Sequence, residues 1–198
     1  MQLDIPKIRP IDYMPKSMIG FNYINSKPNF QSCIHFFLND LQFERVWNKP
    51  SYYISKMSNF DSVLSPDFSL YRNMPIAMQI WNVYRSRYIG YLMQKSGLKT
   101  IPTVSWSDER SFDFCFDGLP MCGTLAIATM GIGKDKYAMK LFNIGYQEMI
   151  NRLQPKNILI YGSIYPDFLK EKTSANIKFY QNENILRFRN LKNNKGEL

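Results

Sequence analysis

Short apolar runs alternate with long amphipathic stretches through the middle of this chain. The runs are SVLSPDFS (62–69), TIPTVSW (100–106), TLAIATMG (124–131) and NILIYGS (157–163). Runs of this length, separated by helices, predict parallel strands that are apolar on both faces. MIGFN (18–22) and SCIHFFLND (32–40) add two earlier strands, and IKFYQ (177–181) reads as a seventh. The longest predicted helix covers 75–95, with Ile76, Ile80, Val83, Tyr84, Tyr88, Tyr91 and Leu92 recurring as one apolar stripe and Trp81 in the core. Gly97 suits its left-handed C-terminal cap. A second helix covers 136–153, with Asp135 as N-cap and Pro155 beyond its end. Pro50 opens a short third helix, since its missing N–H would be unpaired in a first turn anyway.

Each long helix joins two strands, so each makes a right-handed βαβ crossover. The expected fold is α/β, built of parallel βα units as a small or incomplete β/α barrel. An open doubly wound sheet is the alternative, because a full eight-stranded barrel needs about 200 residues or more. The chain has 198. They read as a single α/β domain, with 1–30 as an irregular N-terminal wrap and 190–198 as a frayed tail.

In parallel α/β architectures ligands bind beyond the carboxyl ends of the strands. The polar residues there are therefore the candidate chemistry. Asn39 and Asp40 follow one strand, and Asp67 and Ser69 follow the next. Ser105, Trp106, Asp108 and Glu109 come after a third, Thr129 and Gly131 after a fourth, and Tyr161 and Gly162 after a fifth. Asp67 stands eight residues before the helix at Pro75, too far to be its cap. Asp67, Asp40 and Glu109 are the candidate catalytic carboxylates, serving as acid and base. Asp40 and Asp67 are also hard oxygen donors suited to Mg²⁺. Ser69, Arg72, Arg87, Trp106 and Tyr161 are the candidate substrate-binding groups, the arginines for phosphate and Trp106 for stacking. Arg85 and Arg87 are two positions apart on the helix, so at most one of them should face the rim. GIGKDK (131–136) resembles a phosphate cradle at a helix N-terminus. SFDFCFDGLP (111–120) alternates with period two and reads as a ribbon or plug over one end of the sheet.

Composition narrows the partners. The formal charge is +9 and the pI about 9.4, which favours encounter with polyanions such as nucleic acid or a nucleotide. No apolar run approaches the roughly 20 residues of a membrane span, and MQLDIPKIRP lacks the apolar region of a signal peptide. Cytoplasm, of a bacterium or a phage-infected cell, is the expected location, without membrane contact. Cys33, Cys115 and Cys122 are odd in number and have no CxxC spacing, which argues for plain thiols. The single histidine, His35, lies mid-strand and reads as a satisfied buried group, which leaves no support for a histidine-based triad.

IHFFLNDLQFERVWNKP, FDSVLSPDFSLYRNMPIAMQIWNVYRSRYIGYLMQ, GLKTIPTVSW, SFDFCFDGLP and ILIYGS together resemble the domain of unknown function 4417 family. That family occurs in bacteria, archaea and their viruses, often on mobile elements. The resemblance covers 19–162 and implies that Asp67, Ser69, Arg72, Gln79, Asn82, Arg85 and Arg87 form a family motif. Ser105 and Asn39 depart from it, standing where arginine and aspartate are usual. The resemblance implies a mobile-element context and no particular activity. Set beside the residues, it gives an expected enzyme acting on nucleic acid or a nucleotide at the strand-end rim. The alternative is a non-catalytic protein that binds a nucleotide, DNA or a host protein.

Overall fold

The computed structural model describes residues 3–26, 28–132, 135–162 and 173–181. The tail at 190–198, Ser163, and Gly133 and Lys134 of the GIGKDK loop lie outside the described residues. Among the described residues seven strands form: β1 (Met18–Gly20), β2 (Cys33–His35), β3 (Ser62–Leu64), β4 (Thr100–Ile101), β5 (Thr124–Ala128), β6 (Asn157–Gly162) and β7 (Asn176–Gln181). Four helices among them are α1 (Glu44–Asn48), α2 (Pro50–Met57), α3 (Ile76–Lys95) and α4 (Lys136–Leu153).

Every strand pair is parallel, and neighbours in space are neighbours in sequence, β1 through β4 in one ladder and β5 through β7 in another. The two ladders join where Val104 N–H donates to Ala126 O (2.8 Å) and Ala126 N–H to Pro102 O (2.9 Å). Pro102 has no N–H to donate, so the strand after Ile101 can pair only intermittently. A doubly wound sheet reverses its strand order at a switch point. Among the described residues no reversal occurs, which does not match that alternative.

The apolar runs serve two cores. Cys33, Leu64, Ile101, Ala126, Leu159 and Tyr180, one from each of β2 to β7, form an inner cluster with Met18 of β1 packed against it. The alternate residues face outward. Ile34 and Val63 pack with residues of α2 and α3, and Leu125, Ile127, Ile158 and Ile160 pack with residues of α4. Lys178 Nζ (2.7 Å) and Tyr180 OH (2.6 Å) on β7 both donate to Pro15 O, just ahead of β1. Among the described residues no backbone pairing closes β7 onto β1. The first and last described strands thus meet through these two side chains on one carbonyl, without a closed ladder.

Several elements differ from expectation. The predicted strands at 32–40, 62–69 and 100–106 pair over only two or three residues, and their carboxyl portions become loops that carry the polar groups. The 111–120 segment is no ribbon. It begins inside a 3-10 turn (Glu109–Asp113) and turns again, burying Phe112, Phe114, Cys115 and Phe116 against the outer face of the sheet. It fills the place a helix would take between β4 and β5. Trp81 is not core: it is 46% exposed and stacks on Tyr84, which stacks on Tyr88, with Trp47 edge-on to Trp81. On α3 the buried residues include Gln79, Asn82, Arg85, Ser86 and Arg87, while Tyr91 of the predicted stripe is exposed.

Candidate functional site

The buried polar face of α3 explains itself through its hydrogen bonds. Gln79 Nε2 donates to the carbonyls of Tyr71 (3.1 Å) and Met74 (2.9 Å), and Ser107 Oγ donates to Gln79 Oε1 (2.6 Å). Asn82 Nδ2 donates to Ser69 O (2.7 Å). Arg85 donates to Asn82 Oδ1 and to Glu44 Oε1, both at 2.6 Å, and lies over the Phe68 ring. A loop without regular structure must still satisfy its backbone polar groups. Here α3 satisfies them, so residues 65–74 are held in one shape from the helix side.

That loop forms one wall of a cavity of about 400 Å³ beyond the carboxyl ends of β3, β4 and β5. Asp67, Ser69, Arg72, Trp106 and Ser105 line it, and Ala138, Leu141 and Phe142 of α4 close its apolar side. Trp106 packs on Phe142, with ring centroids 5.4 Å apart. Gly145 of α4 makes this approach feasible, because a Cβ there would run into the indole. Arg72 is exposed at the rim, 3.7 Å from Asp135 and over the Tyr137 ring.

Asp67 is the electrostatic centre. Burial, and then the negative charge of Asp40, push its carboxyl up to about 7; a hydrogen bond from Ser105 and the Arg87 cation oppose the rise without cancelling it. Asp40 does not line the cavity. Its two oxygens accept from Ser69 N–H (3.1 Å) and Ser69 Oγ (2.8 Å).

The other expected residues fall elsewhere. Glu109 is exposed on the 3-10 turn and does not reach the cavity, because Asp108 turns back to cap that turn and pair with Arg110. Arg87 is 2% exposed and donates to the carbonyls of Thr103, Cys115 and Asp117 and to Ser86 Oγ. It ties α3 to the 111–120 segment, so it meets no phosphate in this arrangement. Tyr161 is buried at the inner cluster beside His35, away from Asp67. The N-terminus of α4 already holds an anion: the Asp135 carboxylate accepts from Tyr137 N–H (2.8 Å), where the phosphate cradle was expected. No group of three or more His, Cys, Asp or Glu that could hold a metal ion occurs among the described residues. Asp40 and Asp67 do not share the cavity: Asp67 lines it, while Asp40 lies outside and accepts from Ser69 through both oxygens. Ser105 was among the strand-end polar residues but had no assigned role, and the α4 residues were not expected at all. Ser105 carried a signal, its position at a strand end; the α4 residues carried none beyond helical periodicity.

A larger groove, about 620 Å³, opens around Asp61 at the opposite ends of the strands. There Tyr13 OH donates its one proton across the two Asp61 oxygens (2.7 and 2.8 Å), Ser62 Oγ donates to Asp61 as well, and Lys99 lies at 3.6 Å, so the acid is already engaged. Tyr13 N–H also donates to Thr124 Oγ1, and Thr124 N–H to Ile11 O, drawing residues 11–13 across those strand ends. No helix among the described residues is long and apolar enough to cross a membrane.

Fold and site together define a class: a parallel α/β protein, wound in sequential strand order, with a ligand-sized cavity and a perturbed carboxyl at its strand ends. Within that class the chain belongs to the DUF4417 family, a domain of unknown function, which it matches over residues 1–181. It is 42% identical over 164 residues to the Gene 1 protein of Mycobacterium phage L5, a match covering 81% of this chain and 72% of that one. It is 40% identical over 164 residues to the Gene 1 protein of Mycobacterium phage D29, covering 81% of this chain and 61% of that one. The matched stretch is thus less than two-thirds of the D29 protein. No solved structure matches.

Proposed function

We propose that this protein is a phage-type enzyme acting on a nucleotide or a nucleic-acid strand in the Asp67 cavity. Asp67 exchanges a proton with the substrate, Arg72 meets its phosphate, and Trp106 packs against an apolar or aromatic part. The observation that carries this reading is the Asp67 carboxyl, shifted to about 7 on a cavity wall. A proton-transfer group works best when its pKa lies near the operating pH, and a carboxyl in water does not. The net charge of +9 and the phage relatives support a polyanionic substrate.

A thermal-shift screen of nucleotides and short oligonucleotides, with and without Mg²⁺, tests it. A ligand at 100 times its Kd stabilises by about 2.7 kcal/mol, a readily visible shift. Turnover of the hit is expected to change with a midpoint near pH 7 and to vanish in Asp67→Asn. Undiminished turnover in Asp67→Asn would refute the reading. Binding without turnover in the wild type would leave a carrier of the ligand in place of an enzyme.

A further inference from the structure

The outward face of α3 is aromatic where a surface helix is ordinarily charged. Trp81, Tyr84, Tyr88, Tyr91 and Lys95 recur at spacings of three and four, which puts them within an arc of about 80° around the helix. Trp81 is 46% exposed and Tyr91 41%, with Tyr84 and Tyr88 half-buried between them. The rings are held in place by one another. Trp81 and Tyr84 lie 5.7 Å apart at 8°, Tyr84 and Tyr88 5.9 Å apart at 9°, and Trp47 of α1 meets both Trp81 and Tyr88 edge-on. No other ring or cation among the described residues engages Tyr91.

Beside this stripe a groove of about 290 Å³ runs between α2 and the end of α3, with Ser51, Ser55 and Leu92 in its walls. It shares Ser58, Ser96 and Leu98 with the larger groove around Asp61, so the two are continuous. The larger one adds Lys16, Lys99 and an exposed ring, Phe30. Charge selects what such a surface can hold. Residues 44–57 and 76–95 carry six Lys or Arg and one acid, Glu44, which Arg85 meets at 2.6 Å. Lys49 and Lys95 are exposed and make no ion pair among the described residues. Asp61, the one acid among the described residues of the joined groove, is engaged by Tyr13, Ser62 and Lys99. The core of a protein–protein interface is poor in lysine. Exposed rings set among uncompensated cations and hydroxyls suit a strand that offers flat bases and phosphates together. A duplex hides the faces of its bases, so the strand is a single one.

We infer that the outward face of α3 and the groove beside it bind single-stranded nucleic acid. Bases pack against Trp81 and Tyr91, Lys49, Lys95 and Lys99 meet phosphates, and the groove serines donate to phosphate oxygens. From Trp81 to Lys95 the helix rises about 21 Å, which matches about six nucleotides of a stacked strand. This face lies outside the Asp67 cavity and needs no reaction there.

Fluorescence anisotropy with labelled DNA of about twelve nucleotides tests this on the full chain. The probes are a mixed-sequence strand, its duplex, and an abasic strand of the same charge. The base-bearing strand is expected to bind about tenfold more tightly than either control, with affinity falling as salt rises. Trp81→Ala and Tyr91→Ala should each weaken it about tenfold. Both rings are exposed, so neither change opens the core, and circular dichroism checks the fold. Lys95→Glu should weaken it more than Lys140→Glu, the same change of charge on α4. Equal affinity for the base-bearing and abasic strands would reveal charge attraction alone and overturn the inference. So would affinity unmoved by Trp81→Ala and Tyr91→Ala, or a dimer in sedimentation that Trp81→Ala dissolves while no strand is preferred. Strand binding lost in Asp67→Asn but kept in both aromatic variants would put the strand in the Asp67 cavity and sink this inference alone. Strand binding and turnover both retained in Asp67→Asn would refute the function proposed above and leave this face standing.

Discussion

Asp67 shows how position decides a residue's chemistry. Its ordinary value of 3.8 rises to about 7 because the fold places it in a poorly hydrated wall within reach of the Asp40 charge. The folded protein therefore holds a proton between those values that the unfolded chain releases, so stability falls as pH climbs from about 4 to 7. Asp67→Asn mimics the protonated acid and carries no such penalty. It is expected to melt above the wild type at pH 8, with the gap closing as pH drops to 4; melting curves at the two pH values check this. A constant gap would mean that Asp67 titrates as an ordinary surface acid. Cys33 and Cys115 shift by burial as well, to about 12, and stay thiols at any working pH.

At the scale of elements, α3 is where sequence and structure diverge most. Its boundaries were legible, because Pro75 at the start and Gly97 beyond the end are local signals. The helix α4 was legible for the same reason, since Asp135 caps it. The buried face of α3 was not. Val83 of the stripe is buried as expected, but Ile76, Ile80, Tyr84 and Tyr88 are only partly buried, and Val83, Ile89 and Met93 share the buried face with the polar Gln79, Asn82, Arg85 and Arg87. Their partners are carbonyls at 69, 71, 74, 103, 115 and 117 together with the Glu44 carboxylate, all set by tertiary contact. Periodicity does not report such partners. For the site, Asp67, Ser69, Arg72 and Trp106 could be read from their places after strands, whereas Glu109 and Tyr161 occupy similar places and Arg87 rides the helix α3, and all three point elsewhere. Asn82→Leu tests the stapling role. It leaves Ser69 O without its donor and Arg85 without one acceptor, at an expected cost of about 2–3 kcal/mol. Helix content should be unchanged by circular dichroism, while binding in the Asp67 cavity weakens because its wall loosens. Unaltered binding would show that the loop holds its shape unaided.

Across the whole molecule, one inner cluster takes a residue from every strand, and the two ends of the sheet meet through side chains instead of backbone. Pro15 O accepts from both Lys178 and Tyr180, so either donor alone keeps it satisfied. Lys178→Met and Tyr180→Phe are each expected to cost about 0.5–1.5 kcal/mol. The double variant should lose more than their sum, because only then is the carbonyl orphaned. Urea unfolding of the four proteins measures the excess, and simple additivity would mean that water replaces the latch. The division of labour on α3 reaches further than this chain. Gln79, Asn82 and Arg85 touch the loop and not the cavity, so they answer to the loop's shape alone. A lineage could change position 67 and keep all three; inheritance of the loop's shape and inheritance of the cavity's chemistry would part company there.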